Sequence, residues 1–184
     1  AYDRENRRME REYLLCEEER NEGRRRLERV RARVLAEVPG SAVAADQPFR
    51  LADLAIDFCE DVRRLPREEV RHIARIASEE GAVSKISSIH VNCWYGDFDK
   101  VSCARLYLRK KADLSWEDAQ SRILFSGDSP NDEPMFREMT TSVGVANLRD
   151  YLDDMRDLPT FLTSGSGGDG FVEAVSLIVS RRGE

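Results

Sequence analysis

Arg122 to Phe136 reads RILFSGDSPNDEPMF. The apolar run Ile123-Leu124-Phe125 predicts a short buried strand. Ser126-Gly127 then leads into a polar loop that carries Asp128, Asn131 and Asp132, with Pro130 preventing the strand from continuing. Glu133 to Met139 predicts a helix. Asp128 thus falls at the carboxyl end of its strand, and Asp132 near the first turn of the next helix. A hard divalent cation takes oxygen ligands, keeps several waters and is held by one or two carboxylates plus a substrate phosphate. The carboxyl edge of a parallel sheet is where such a site forms. The competing explanation is that both aspartates only cap the helix that follows.

Outward from this stretch, the downstream residues predict a strand at Ser142–Val145, a helix or turn at Tyr151–Met155, a strand at Thr160–Thr163 and a final helix at Gly170–Ser180. Strands alternating with helices in this way predict half of an open parallel sheet. The run SGSGGDG at residues 164–170 has neither GK[ST] nor GxGxxG spacing, so it reads as a surface loop. Upstream, Ser115 is a capping serine for a helix starting at Trp116, and Lys100 to Leu108 reads as helical after a loop from Cys93 to Asp99.

The first half has a different rhythm. Arg4 to Val38 predicts one long charged helix, stopped by Pro39-Gly40, with a sparse apolar stripe of Met9, Tyr13, Leu14, Leu27, Val30, Val34, Leu35 and Val38. Strands follow at Ser41–Ala44 and Leu51–Phe58. Pro66 opens a helix to about Glu80, with Val70, Ile73, Ile76 and Ala77 on one face and Gly81 as its stop. Two more strands are expected at Ala82–Lys85 and Ser88–Asn92. The expected division is therefore an α+β unit over residues 1–92, ordered helix-strand-strand-helix-strand-strand, and an α/β unit over residues 93–184.

Composition excludes several classes. Of 184 residues, 41% are hydrophobic and 35% charged, as in a globular chain, and the net charge of -6 disfavours a general nucleic-acid binder. Arg24-Arg25-Arg26 suggests an RNA-binding arm, but dense interleaved glutamates oppose it; a coiled-coil seam is opposed by the lack of sustained heptads. No apolar run is long enough to span a bilayer, so no membrane partner is expected. The four scattered cysteines, Cys16, Cys59, Cys93 and Cys103, form no CxxC pair and suggest a reduced, cytoplasmic protein. The opening Ala1-Tyr2-Asp3 is neither an initiator methionine nor a targeting peptide, from which a natural beginning upstream is expected.

GDSPND at residues 127–132 resembles the fourth motif of the haloacid dehalogenase (HAD) superfamily. Ser142-Val143-Gly144-Val145-Ala146-Asn147 and Gly170-Phe171 are similar to that family's continuation. Phe98-Asp99-Lys100 resembles its third motif, where a lysine follows the return from a cap domain. The preceding block resembles the type IIB cap of Cof-like sugar-phosphate phosphatases, such as sucrose-phosphate and mannosyl-phosphoglycerate phosphatases.

This resemblance implies a Rossmann-like core, present as its C-terminal half, with an inserted α+β type-II cap. It implies a phosphatase using Mg²⁺ and a small phosphorylated substrate. Asp128 would then coordinate the metal, and Asp132 would bind it directly or through water. Asn131 would hydrogen-bond the phosphoryl group or the nucleophile, and Lys100 would neutralise the phosphate. A cap facing the site makes His90, Asn92 and Trp94 candidate substrate contacts, with Ser129 a further one, against the alternative of structural packing.

One departure is decisive for mechanism. The family's first motif, a strand running into DxDGT or DxDGV, has no counterpart in these residues, nor does the Ser or Thr of its second motif. The single DxD, Asp97-Phe98-Asp99, follows Trp94-Tyr95-Gly96 in a loop and lacks the Gly-Thr, so it is not read as a nucleophile. A Cys93/His90 hydrolytic pair has no orienting partner, and His72 reads as a surface or boundary residue. The sequence therefore predicts a chain with little activity alone, a homodimer through open sheet edges being an alternative role.

Overall fold

Fourteen buried apolar side chains form the main core, and they come from one half of the sequence. The computed structural model describes residues 2, 3, 6–9 and 11–181. In the first half a hairpin, β1 (Tyr2–Asp3) and β2 (Arg8–Met9), precedes helix α1 (Glu17–Glu37). Strands β3 (Ala42–Val43) and β4 (Asp53–Asp57), helix α2 (Arg67–Glu79), and strands β5 (Val83–Ile86) and β6 (His90–Trp94) follow. The four strands make an antiparallel sheet in the order β3-β4-β6-β5.

The period of two along these strands separates two faces. Leu54, Ile56, Val91 and Cys93 face the helices. They pack with Leu27, Val30, Val34 and Val38 of the α1 side and Val70, Ile73, Ile76 and Ala77 of α2. The opposite face carries Asp53, Ala55 and Asp57 beside Trp94, Asn92 and His90 in register, with Lys85 paired to Asn92 from the other side. This second face is mostly polar, and the Gln47 side chain bonds to it at Asp53 O and Ala55 N–H.

The long first helix is shorter than its charge pattern predicts. The expected helix from Arg4 begins at Glu17, because Arg7 adopts a left-handed conformation (φ 50°) that turns the chain into the β1–β2 hairpin. Met9, Tyr13 and Leu14, placed on the expected stripe, are exposed and have no core to join. At the true start, the backbone N–H of Cys16 donates to Glu19 Oε2 at 2.9 Å, and Glu17, Glu18 and Glu19 sit at the positive end of the helix.

The second half begins with α3 (Lys100–Tyr107), a π turn at Leu108–Ala112, and α4 (Trp116–Arg122), with Ser115 Oγ accepting from the Asp118 N–H at 3.1 Å as the capping serine. Strand β7 (Leu124–Gly127), helix α5 (Glu133–Glu138), strand β8 (Thr141–Gly144), strand β9 (Phe161–Leu162) and helix α6 (Gly167–Arg181) complete it. β7, β8 and β9 are parallel and adjacent in that order. Short 3₁₀ turns at Pro130–Asp132 and Ala146–Asp154 fill the connections after β7 and β8. α6 starts at Gly167, so the latter part of the expected SGSGGDG loop is its first turn. Among the described residues no helix is long and apolar enough to cross a membrane.

Candidate active site

Parallel strands collect their following loops at one edge, and here that edge gathers GDSPND after β7, Val145–Asn147 after β8 and Thr163–Ser166 after β9. Backbone hydrogen bonds tie them together: Val145 N–H to Gly127 O at 3.0 Å, Thr163 N–H to Gly144 O at 3.0 Å and Ala146 N–H to Gly165 O at 2.9 Å. Asn147 completes the tie. Its Nδ2 donates to Asp128 O at 3.2 Å, while its Oδ1 accepts from Gly167 N–H at the start of α6 at 3.0 Å.

Asp132 is the centre of the loop. It is buried (3% exposed), and its Oδ2 accepts from the N–H of Asp128 at 2.9 Å and of Ser129 at 3.3 Å. The side chain folds over Gly127, where a Cβ would meet Asp132 Oδ2 at 2.6 Å, so the strand can end in glycine alone without moving Asp132. The other oxygen, Oδ1, accepts from Lys100 Nζ, which also donates to Asn131 Oδ1 at 2.8 Å. A buried carboxylate is thereby given three donors, which offsets its desolvation. Lys100 itself is half exposed at its side chain (50%) and reaches the loop from the first turn of α3.

Lys100 arrives in position because Asp99 caps its helix: Asp99 Oδ1 accepts from Ser102 N–H at 2.8 Å and Ser102 Oγ accepts from Asp99 N–H at 2.8 Å. Asp99 is therefore occupied as a cap. Trp94 Nε1 donates to Phe98 O at 3.0 Å, fixing the return from the four-stranded sheet.

The predicted residues fall into three groups. Lys100, Asn131 and Asp132 are brought together. Asp128 stands beside them, partly buried, its carboxylate without a hydrogen-bond partner among the described residues. Ser129 is buried (1% exposed) and donates its hydroxyl to Asn131 Oδ1 at 3.1 Å, so it braces the loop and does not line the cleft. A cleft of about 810 Å³ runs from Lys100 and Asn131 across the polar sheet face, past Trp94, Val83, Lys85 and Asn92. Trp94 and Asn92 line it, and Asn92 also borders the neighbouring pocket that His90 lines. His72 is partly buried and 3.8 Å from Glu37, away from the loop.

The Cys93/His90 pair is not formed. Residues three apart on a strand face opposite ways, and Cys93 lies fully buried in the helix-covered core. Burial pushes its thiol up to about 12, which removes the thiolate needed for attack.

Two further positions at the site carry no signal of their own in the sequence. Asn147 was visible only as part of a family-like run, since its role depends on two loops meeting at one sheet edge. Lys85 was read as an ordinary strand residue, yet it lines the cleft together with Asn131.

The cation question turns on Asp128 and Asp132. No three His, Cys, Asp or Glu side chains among the described residues converge into a metal cluster. Both oxygens of Asp132 are committed to Lys100 and to the loop amides. Of the two, Asp128 is the one whose carboxylate has no hydrogen-bond partner among the described residues, and it lies at the sheet edge. One carboxylate plus waters and a phosphate oxygen is an arrangement Mg²⁺ accepts, so these residues fit that ion.

The family described as Sucrose-6F-phosphate phosphohydrolase matches residues 99–177. Among solved structures, a protein of Thermoplasma acidophilum aligns with a TM-score of 0.56 at 20% identity, over 85% of this chain and 60% of its own. The sucrose-phosphatase of Synechocystis sp. PCC6803, solved in complex with sucrose and phosphate, aligns with a TM-score of 0.57 at 15% identity, over 85% of this chain and 64% of its own. The chain thus spans under two thirds of the length of either structure. No curated protein matches it significantly. The family match covers under half of the chain, and the two structures show the fold it shares with them, an α/β fold. Residues 99–177, which include Lys100 and the loop after β7, are what is similar to that family.

Proposed function

We propose that this chain supplies the metal-binding and charge-stabilising side of a cytoplasmic, Mg²⁺-dependent phosphomonoesterase acting on a sugar phosphate or similar small phosphoester. The observation that carries this reading is Lys100 Nζ bridging Asn131 Oδ1 (2.8 Å) and buried Asp132 at the end of β7. A compact ammonium held there is positioned to stabilise charge on a transferring phosphoryl group. When bound, Mg²⁺ would neutralise the phosphate and polarise its oxygens. Asp128 would hold it, with Asp132 reaching it through water or fixing the loop that does. Asn131, its amide nitrogen without a partner among the described residues, would donate to a phosphoryl oxygen. In the family's route a carboxylate attacks phosphorus, the alcohol leaves, and water cleaves the aspartyl-phosphate. No residue of this sequence matches that carboxylate's motif, so the chain as given is expected to be inactive or nearly so.

The test is hydrolysis of a panel of sugar phosphates by the pure chain with Mg²⁺, releasing inorganic phosphate. Turnover indistinguishable from the Asp128→Ala variant is the expected result. Robust turnover that Asp128→Ala abolishes would overturn the inactivity, and would identify Asp128 as essential in the same experiment.

A second reading is a non-catalytic binding or assembly module, including a homodimer. It is favoured by the exposed apolar side chains of α6, among them Phe171, Val172 and Leu177. No nucleic acid or membrane partner is proposed under either reading.

A further inference from the structure

Among the described residues the two halves of the chain share no buried apolar cluster. The largest cluster is built from residues up to Tyr95, and both smaller ones from Val101 onwards. The linker residues Gly96, Asp97, Phe98 and Asp99 line the cleft of about 810 Å³. A further pocket, of about 400 Å³, lies on the other flank of β5. Lys85 of β5 borders both, with Asn131 and Pro134 on the cleft side and Pro130 and Glu133 on the pocket side. The first half therefore lies across the GDSPND loop, joined by the linker on one flank.

Two arginines of α2 close the other flank. Arg67 and Arg71 are one helical turn apart, and both reach the 3₁₀ turn at Ala146–Asp154. Arg67 donates to Asp150 O, lies 3.9 Å from Asp154 and stands 5.9 Å from the centre of the Tyr151 ring. Arg71 Nη2 donates to Asp154 Oδ1 at 2.8 Å. The gripped segment is itself tied to the loop, since Glu133 Oε1 accepts from the N–H of Arg156 at 2.6 Å and of Asp157 at 3.1 Å. Glu12 and Lys110 form another pair between the halves, at 2.8 Å, but neither lines this pocket.

We propose that Arg67, Arg71 and Asp154 form an ionic strap that holds the polar sheet face over Lys100 and Asn131. Its release lets the first half swing about residues 95–99 and opens the cleft. Gly96, with a φ of 119°, gives that linker a residue able to change its backbone angles. The strap is weak by construction. One carboxylate serves two guanidiniums, and the three side chains are 62%, 62% and 41% exposed. Ion pairs so exposed contribute little and are screened by salt. With no shared apolar core, a single charge decides which arrangement dominates.

Replacing Trp116 by phenylalanine leaves Trp94, in the cleft, as the sole tryptophan. Quenching of its fluorescence by acrylamide, which is uncharged, then reads how open the cleft is. Between about 20 mM and about 500 mM NaCl the quenching constant is expected to rise about twofold, as screening releases the strap. Asp154→Asn in the same background is expected to show the high value already at low salt, with no further rise. Glu22→Gln removes an equal charge from an exposed pair with Arg25 inside α1, and is expected to behave as its parent. Small-angle scattering on chains that keep both tryptophans supplies a second reading, in which Asp154→Asn at low salt has the larger radius of gyration. Equal quenching and equal radius for Asp154→Asn and its parent at low salt would overturn the strap. So would a Glu22→Gln variant that opens as far as Asp154→Asn. No Mg²⁺ or substrate is present in these measurements, so the phosphatase reading stands or falls apart from them.

Discussion

The two sheets of this protein are built to opposite specifications. The antiparallel sheet of β3 to β6 rests on fourteen buried apolar residues shared with α1 and α2. The parallel sheet of β7 to β9 has only two small clusters, Val101, Met135 and Met139 on one side and Phe136, Leu148 and Met155 on the other. Yet the thinly cored sheet carries the site. GDSPND, Asn147 and the start of α6 all meet at its carboxyl edge, held by polar ties such as Asp132 to loop amides and Asn147 to Asp128 O. The difference separates two ways of fixing side chains. One region is ordered by packing, and the other by hydrogen bonds that leave apolar surface outside.

The comparison predicts where the largest losses of stability lie. Ile73 is fully buried at the centre of the α2 face, and Ile73→Ala is expected to cost about 2–5 kcal/mol, read as a lowered denaturation midpoint. A cost under about 1 kcal/mol would break the claim that this core dominates.

A smaller effect is expected at Asp57, which is 1% exposed on the polar face of the same sheet. Burial pushes its carboxyl up, but N–H donors from Glu60, Asp61 and Cys59, each at 2.8 Å, outweigh burial and hold it below its ordinary value. A depressed carboxyl contributes stability that is fully present above its unfolded value, about 4, and is lost as pH falls through the lower folded value. Asp57→Asn should therefore cost about 1–3 kcal/mol at neutral pH and flatten the acid limb of the stability curve. An acid limb unchanged by the substitution would show that other carboxylates set it.

The sequence made the packed region legible down to side chains. Val70, Ile73, Ile76 and Ala77 were expected on one face of α2 and are all buried there, because a period of 3.6 is a local property that the core then uses. β5 and β6 begin one or two residues later than expected, since strand ends depend on the partner strand. The true start of α1 was not legible. The run from Arg4 is as charged as the helix proper, and only the Arg7 turn distinguishes them. At the site, the grouping of Lys100, Asn131 and Asp132 is what the family resemblance implies, and the three side chains meet in the structure. The commitment of both Asp132 oxygens was not visible, because it depends on where Lys100 arrives from another element. Likewise, that Trp94 and His90 line different cavities, with Asn92 bordering both, depends on how the loops close over the sheet, which no spacing encodes.

The smallest change in stability should come from the least packed element, and it decides between two roles for the thin sheet. On α6, Phe171, Val175 and Val179 lie at i, i+4 and i+8, one stripe of the helix, and are 53%, 39% and 63% exposed. Among the described residues little covers them, so replacing all three by serine removes few internal contacts. Each change is expected to cost within about 0.5 kcal/mol, as at other surface positions. Assembly is the sensitive readout. If this stripe is a contact between copies, the wild type elutes as a dimer on size-exclusion chromatography and the triple variant as a monomer at the same concentration. A wild type that is already monomeric refutes the homodimer. A triple variant that unfolds would show that α6 is held by this stripe within the chain, and the contrast between the two sheets would have to be redrawn.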